Sequence, residues 1–323
     1  MSFTSLAFLA FFLIVWLGYL ILPGRARKGW LLAASYLFCA SLGGTALLVL
    51  ILSTLVTWLA GLALENGRER TGLPARGIFA AVIAFHVIAL GFFKYNSLGI
   101  LLPVGISFYT FQAIGYLADV HGGKTEAERN LLNFALFQAF FPKLIQGPIE
   151  RSKNLLAQIR KLPEREAREL RDLERVRNGG LLILWGLCEK LLIADRIAIP
   201  VNAVYSQFGA FGGVEIVLTT VLYAFQIYCD FAGYTDIARG TAQLLGFDLL
   251  ANFRRPYLAD SVQDFWRRWH QSLSSWLRDY LYIPLGGSRK GRLRRAVNIL
   301  LTFLASGVWH GTGFHFLAWG GLH

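Results

Sequence analysis

Leu6-Ala7-Phe8-Leu9-Ala10-Phe11-Phe12-Leu13-Ile14-Val15-Trp16-Leu17-Gly18-Tyr19-Leu20-Ile21-Leu22 runs without a single charged side chain. At about 1.5 Å of rise per residue, such a helix approaches the roughly 30 Å hydrocarbon core of a bilayer. The preceding Met1-Ser2-Phe3-Thr4-Ser5 carries no basic residue. A secretory signal would have a positive start and a small-residue cleavage site. The run therefore reads as a retained transmembrane helix. Arg25, Arg27 and Lys28 follow it directly. By the positive-inside rule that end is cytoplasmic and the N-terminus lies outside.

The same pattern continues along the chain. Trp30 to Leu64 is apolar, broken near Gly43-Gly44, and predicts a short helix to about Ser41 and a second from about Thr45. Further spans are expected at Ile78 to Phe93, Leu98 to Leu117, Gly179 to Ala198, Val214 to Ala232, and from Ala296 to Val308. The span at Leu98 is interrupted by Pro103 and Gly105, a break tolerated at membrane depth only beside protein or a wet cavity. Leu131 to Phe141 is a shorter apolar run, ended by Pro142. Over all 323 residues, 55% are hydrophobic and only 16% charged, against about 25% charge in an ordinary soluble domain. Disorder is excluded, and the excess apolar surface must face lipid. The 25 Phe, 12 Tyr and 9 Trp suit interfacial aromatic belts. The expected class is an all-α, polytopic integral membrane protein, with residues 1–323 as one transmembrane domain.

Two segments depart from the apolar rule. Residues 150–178 alternate acid and base, as in Glu164, Arg165, Glu166, Arg168, Glu169 and Arg171, and predict a solvated or interfacial helix on the cytoplasmic side. Residues 253–295 mix Trp and Tyr with Arg, Asp and His, too polar for a lipid-exposed span; re-entrant or interfacial helices fit better. The net charge of +12 sits in loops between apolar runs, including Arg289 to Arg295. That placement suits topology and contact with anionic membrane lipid, and argues against nucleic acid as a partner. Cys39, Cys188 and Cys229 are scattered, with neither disulfide nor zinc spacing. No nucleophile elbow, P-loop, dinucleotide-binding or zinc-protease motif occurs, and no metal site is expected.

Of the six histidines, His310 stands out. It lies in Ser306-Gly307-Val308-Trp309-His310-Gly311-Thr312-Gly313, fifteen residues past Arg295. On one helix that is roughly 22 Å from the cytoplasmic charges, well inside the bilayer. An ionisable group at that depth is a functional-site hypothesis, and histidine is the usual general base near neutral pH. The flanking glycines would let a substrate approach the backbone. His270, in Asp264-Phe265-Trp266-Arg267-Arg268-Trp269-His270, is a candidate for the same site. His86 reads as a core histidine satisfied by a neighbour and His121 as a helix-end residue; His315 and His323 receive no role. Asp230, among aromatic residues, would orient a partner or stabilise a bend.

Several segments resemble the membrane-bound O-acyltransferase (MBOAT) family, in particular its alginate O-acetyltransferase-like branch. They are Gly105-Ile106-Ser107-Phe108-Tyr109-Thr110-Phe111-Gln112, Phe141-Pro142-Lys143 through Gln146-Gly147-Pro148-Ile149, Asp264 through His270, Arg278-Asp279-Tyr280-Leu281-Tyr282-Ile283-Pro284-Leu285-Gly286-Gly287, and Trp309-His310-Gly311. The resemblance implies a ring of tilted helices around a tunnel. It implies transfer of an acyl group from a cytoplasmic thioester, acetyl-CoA or another, with no bound cofactor. The acceptor would be a hydroxyl of an exported polysaccharide such as alginate, reached directly or through a periplasmic acetyltransferase partner, at a bacterial inner membrane. His310 matches the family's catalytic histidine and His270 its second characteristic histidine. The matching segments supply Trp309, Tyr280, Asp279, Arg278, Trp266 and Gln146 as candidate substrate-binding residues. Trp309, Tyr280 or backbone amides would steady the oxyanion. Relatives in this branch usually continue through further transmembrane helices, so C-terminal helices are expected to be missing here.

Two rival readings remain at this stage. One keeps the family and changes the reaction, to D-alanylation of teichoic acid or O-acetylation of peptidoglycan. The other is a transporter without chemistry of its own, which the broken span would suit but the lack of inverted repeats does not.

Overall fold

The computed structural model describes residues 1–69, 73–95, 102–162, 172–311 and 313–323, and among them it is helical throughout, with no strand. Helix α1 (Leu6–Ile21) starts where the Ser5 side chain accepts the Phe8 amide, an N-cap hydrogen bond of 3.1 Å. Pro23 then allows α2 (Gly24–Ala40) to begin, and Gly43, at φ 142°, turns the chain into α3 (Gly44–Glu69). The break near Gly43-Gly44 thus separates two helices as the sequence suggests. Helices α4 (Leu73–Tyr95) and α5 (Ile106–His121) follow; the first residues of the span expected from Leu98, up to residue 101, lie outside the described residues.

Arg27 and Lys28 correct one expectation. They are buried, not free juxtamembrane charges. Arg27 Nε donates to the carbonyls of Tyr19 and Leu22 at the end of α1, where the helix dipole favours a cation. Lys28 Nζ donates to Asn133 Oδ1 at 2.7 Å, tying α2 to α6 (Leu131–Ala139). Arg25 alone of the three is exposed.

The interior is aromatic. Phe3, Phe8, Phe11, Phe38 and Phe141 form one ring-on-ring cluster, with centroids from 4.7 Å for Phe3–Phe8 to 6.5 Å for Phe8–Phe141. The outside is aliphatic. Leu6, Leu9, Leu13, Ile14, Leu17 and Ile21 are exposed on α1, and only 6% of the most apolar window of Ala75–Tyr95 is buried. A soluble monomer does not carry apolar surface on this scale. Among the described residues, Gly44–Gly67, Ala75–Tyr95 and Gly213–Leu244 are long and apolar enough to cross a membrane.

The charged stretch at 150–178 behaves differently from a uniformly solvated helix. Glu164 to Arg171 lie outside the described residues. Before them, a π-helical turn (Ser152–Leu156) and α7 (Ala157–Arg160) bury Leu155, Leu156 and Ile159. Glu150, just before this helical stretch, and Asn154 and Gln158 on it bond the backbone of 248–250. After them, Asp172 caps α8 (Leu173–Leu187). A π-helical turn (Cys188–Ala194) leads on into α9 (Asp195–Ser206), so the helical segment is longer than the predicted span. Likewise α10 (Gly213–Leu244) runs twelve residues past Ala232. Helices α8 and α10 touch backbone to backbone through Gly179 against Gly240 and Gly186 against Gly233; a Cβ at Gly233 would lie 2.7 Å from the Gly186 carbonyl oxygen.

Residues 253–295 fold as short pieces: a 3-10 turn (Pro256–Leu258), α11 (Val262–Arg268), α12 (Gln271–Leu277) and a π-helical turn (Arg278–Tyr282), before α13 (Gly291–His310) and α14 (Phe314–Leu322).

Candidate active site

Helix α13 starts at Gly291, so Arg292, Arg294 and Arg295, expected in a loop, form its first turns, and it runs unbroken to His310; the roughly 22 Å rise estimated from Arg295 corresponds to one continuous element. Tyr95, at the end of α4, donates its hydroxyl to the carbonyl of Val308, which fixes the terminal turn. His310 itself is exposed on the chain, and its ring lies 4.5 Å from Trp309 and 5.2 Å from Trp319.

His270 reaches the same place from the opposite direction. It is the left-handed residue between α11 and α12, at φ 42° and ψ 53°. A non-glycine residue there carries on the order of 1–3 kcal/mol of strain, tolerated only where surrounding contacts impose it. The His270 ring is buried, edge-on to Phe231 at 4.6 Å and 6.3 Å from the Trp309 ring. Trp309 is thus the shared wall of both imidazoles, and Lys94 Nζ lies 5.4 Å from its ring centroid. His270 Nδ1 and Trp309 Nε1 are buried with no hydrogen-bond partner among the described residues. Buried polar atoms are normally paired, so two neighbouring orphans mark a place where a polar group of another molecule would be accepted.

The glycines around His310 do not provide the room expected of them. The Phe316 ring fills the space beside Gly311, the Phe316 carbonyl lies against Gly307, and the His315 ring sits over Gly313. The short turn into α14 requires this close packing. Thr312 lies outside the described residues. Trp266 stands one ring further out, 5.9 Å from Trp319 and 5.1 Å from Phe303.

Tyr280, Asp279 and Arg278 form a second group. Tyr280 donates to Asp119 Oδ2 at 2.8 Å. Its burial, with Asp119 alongside, pushes the phenol above its usual value, so it remains a donor. Arg151 stacks over the Tyr280 ring at 4.5 Å and reaches Asp279 Oδ2 at 3.4 Å, with one buried guanidinium nitrogen unpartnered among the described residues. Arg278 is exposed and pairs with Asp279. Together with Lys124, Lys153, Asn154 and Leu250, most of these line a cavity of about 530 Å³. A ladder of rings joins the two groups: Tyr280–Trp276 at 5.2 Å, Trp276–Phe111 at 4.4 Å and Phe111–Trp309 at 5.3 Å. Gln146 joins neither group through a described hydrogen bond, and its Oε1 is buried without a partner among the described residues.

Three other polar residues singled out by the sequence have local contacts. His86 sits 2.9 Å from the Thr57 hydroxyl, the satisfied core histidine expected, and His121 stacks on Phe79. Asp230 shares Lys190 with Asp195, each at 2.6 Å, which holds α10 to the turn between α8 and α9. Sequence reasoning missed Lys94, Tyr95, Arg151 and Asn252. Lys94 looked like an end-of-span charge, and no local pattern marks the others.

Comparison with known proteins identifies the family. A family model described as MBOAT, membrane-bound O-acyltransferase family, matches residues 127–323. The chain is 38% identical over 344 residues to the probable alginate O-acetylase AlgI of Pseudomonas putida, covering 100% of this chain and 69% of that protein. It is 32% identical over 365 residues to the peptidoglycan O-acetyltransferase of Helicobacter pylori, covering 99% of this chain and 68% of the relative. It is 29% identical over 231 residues to the teichoic acid D-alanyltransferase of Streptococcus thermophilus, covering 68% and 54% respectively. Against the alginate O-acetylases, the chain spans from 64% to 69% of their length.

Proposed function

This chain belongs to the membrane-bound O-acyltransferase family and is a multi-pass membrane protein; on that premise we propose that it moves an acetyl group from a cytoplasmic thioester towards hydroxyls of an exported polysaccharide such as alginate. The higher identity to alginate O-acetylases than to the teichoic acid D-alanyltransferase supports acetyl over D-alanyl as the cargo. The transfer runs at an inner membrane with the N-terminus outside, either directly or by way of a periplasmic acetyltransferase partner. Residues 1–323 act as one domain, with the 150–178 segment on the cytoplasmic side and 253–295 as the re-entrant part.

The observation that carries the reading is the meeting of His310, His270 and Trp309 at the end of α13. In the proposed step neutral His310 takes the proton of an acceptor hydroxyl as its oxygen attacks the thioester carbonyl. The C–O bond forms, the C–S bond breaks, and the proton passes from His310 to the departing thiolate. The Trp309 indole N–H steadies the developing oxyanion. The cavity beside Arg151, Lys124 and Tyr280 takes the donor's anionic head, and the ring ladder leads from it to the histidines. Replacing His310 with Ala, at matched protein level, abolishes acetylation of the polymer; full acetylation in that variant removes the mechanism.

A second acceptor is supported by the match to the peptidoglycan O-acetyltransferase, which covers 99% of this chain and 68% of that protein. Chemical analysis of alginate-type polymer and of muropeptides from cells with and without the protein decides between them.

A further inference from the structure

The His270 ring has no hydrogen bond at Nδ1 among the described residues, so nothing bonded to that nitrogen aims it. A histidine that works as an acid, base or ligand is usually oriented by a bond from its second nitrogen. Here the aim must come from the backbone, whose left-handed conformation at His270 needs an external hold.

That hold is Asn252. It is fully buried, and every polar group it uses lands beside His270 or on a fixed element. Its carbonyl accepts the Gln271 amide at 2.8 Å. Its Oδ1 accepts the Ser272 hydroxyl at 2.6 Å, and its Nδ2 donates to Thr235 on α10 at 3.1 Å. The Ser272 oxygen in turn accepts the Ile149 amide at 3.0 Å. On the other side of the histidine, the Arg254 amide donates to the Arg268 carbonyl at 3.0 Å. The two residues after His270 are thereby clamped to α10 and to the chain at Ile149, and the ring lies between Phe231 at 4.6 Å and Trp309 at 6.3 Å.

We propose that Asn252, acting through Ser272, is a positioning residue that holds the strained His270 backbone so that its imidazole faces the Trp309 wall beside His310. The inference rests on the acyl-transfer reading above. The protein is tested as the full chain in proteoliposomes, with acetyl-CoA as the probe donor and a hydroxyl polymer as acceptor. Asn252→Ala and Ser272→Ala each lower kcat about 10- to 100-fold, the scale of a small misplacement of a group beside the reacting atoms. The KM for acetyl-CoA stays close to wild type; the melting temperature falls, because Thr235 and Ser272 lose a buried partner, and rates are therefore compared well below it. Because both act through one ring, Asn252→Ala combined with His270→Ala is no slower than His270→Ala alone. Should Asn252→Ala fail to fold, Ser272→Ala carries the same comparison from the other end of the bond. Unchanged kcat in Ser272→Ala while His270→Ala is impaired overturns the proposal, as do losses that multiply in the double variant. Full activity of His310→Ala would instead sink the acyl-transfer reading itself, so the two failures are distinguishable.

Discussion

The Phe3–Phe8–Phe11–Phe38–Phe141 cluster and the His270–Trp309–His310 cluster are both made of rings in contact, and they differ in what is left over. In the first, the polar group that enters is paired: the Phe141 amide donates to Ser35 Oγ at 3.1 Å. In the second, two ring nitrogens stay unpartnered among the described residues, one residue is held left-handed, and the terminal imidazole is exposed. Close packing stabilises the first; the second leaves polar atoms unpaired and backbone strained, the departure from local rules expected at a functional site.

The sharpest break in this comparison is at its two centres. His310→Ala lowers acyl transfer by about 10²- to 10⁴-fold, the range for a lost acid–base group, with little change in melting temperature. Phe141→Ala does the reverse. It costs about 3–5 kcal/mol of stability, read as a lowered melting temperature in detergent, while the protein that remains folded turns over normally. Trp309→Phe keeps the wall and removes the indole N–H; kcat falls about 10²-fold, the loss typical of one oxyanion donor, without a matching rise in KM. An effect of Trp309→Phe on stability alone would move Trp309 into the first class.

The smallest expected effect concerns Glu150, which anchors Leu250 and, through it, the segment that carries Asn252. Burial pushes its carboxyl from the ordinary 4.5 up to about 7. The folded chain therefore holds this proton to higher pH than the unfolded chain does. The stability so gained is fully present below about pH 4.5 and is lost as pH rises through about 7. Lys143 beside it is pushed the other way, down to about 7 by burial, and its contribution rises with pH, so the Glu150 share is read as a difference: the melting temperature of wild type minus that of Glu150→Gln should fall from about pH 5 to 8.

Much of the candidate site was legible because it is local. An apolar run after a basic loop places His310 along a helix by rise per residue alone, and α13 has that form. The break at Gly43-Gly44 was legible for the same reason, since two glycines end and restart a helix whatever surrounds them. The glycines near His310 misled, because a glycine invites either a ligand or a neighbouring side chain, and only the position of Phe316 shows which. Arg27 and Lys28 misled similarly. Their charge suggested an exposed membrane edge, and their burial depends on carbonyls and on Asn133 elsewhere in the chain.

Hydrophobic runs, basic loops and one histidine at the end of an apolar run were enough to specify a helical membrane protein and to single out the end of α13 as the candidate site. These properties follow from transfer of side chains between water and lipid and from a fixed helical rise, neither of which needs a partner segment. The tertiary structure alone decided what surrounds that histidine. Asn252 reaches Ser272 across 20 residues, Arg151 reaches Asp279 across 128, and Tyr95 reaches Val308 across 213. A hydrogen bond needs its two atoms within about 3 Å, and at such separations only the packing of other helices sets that distance.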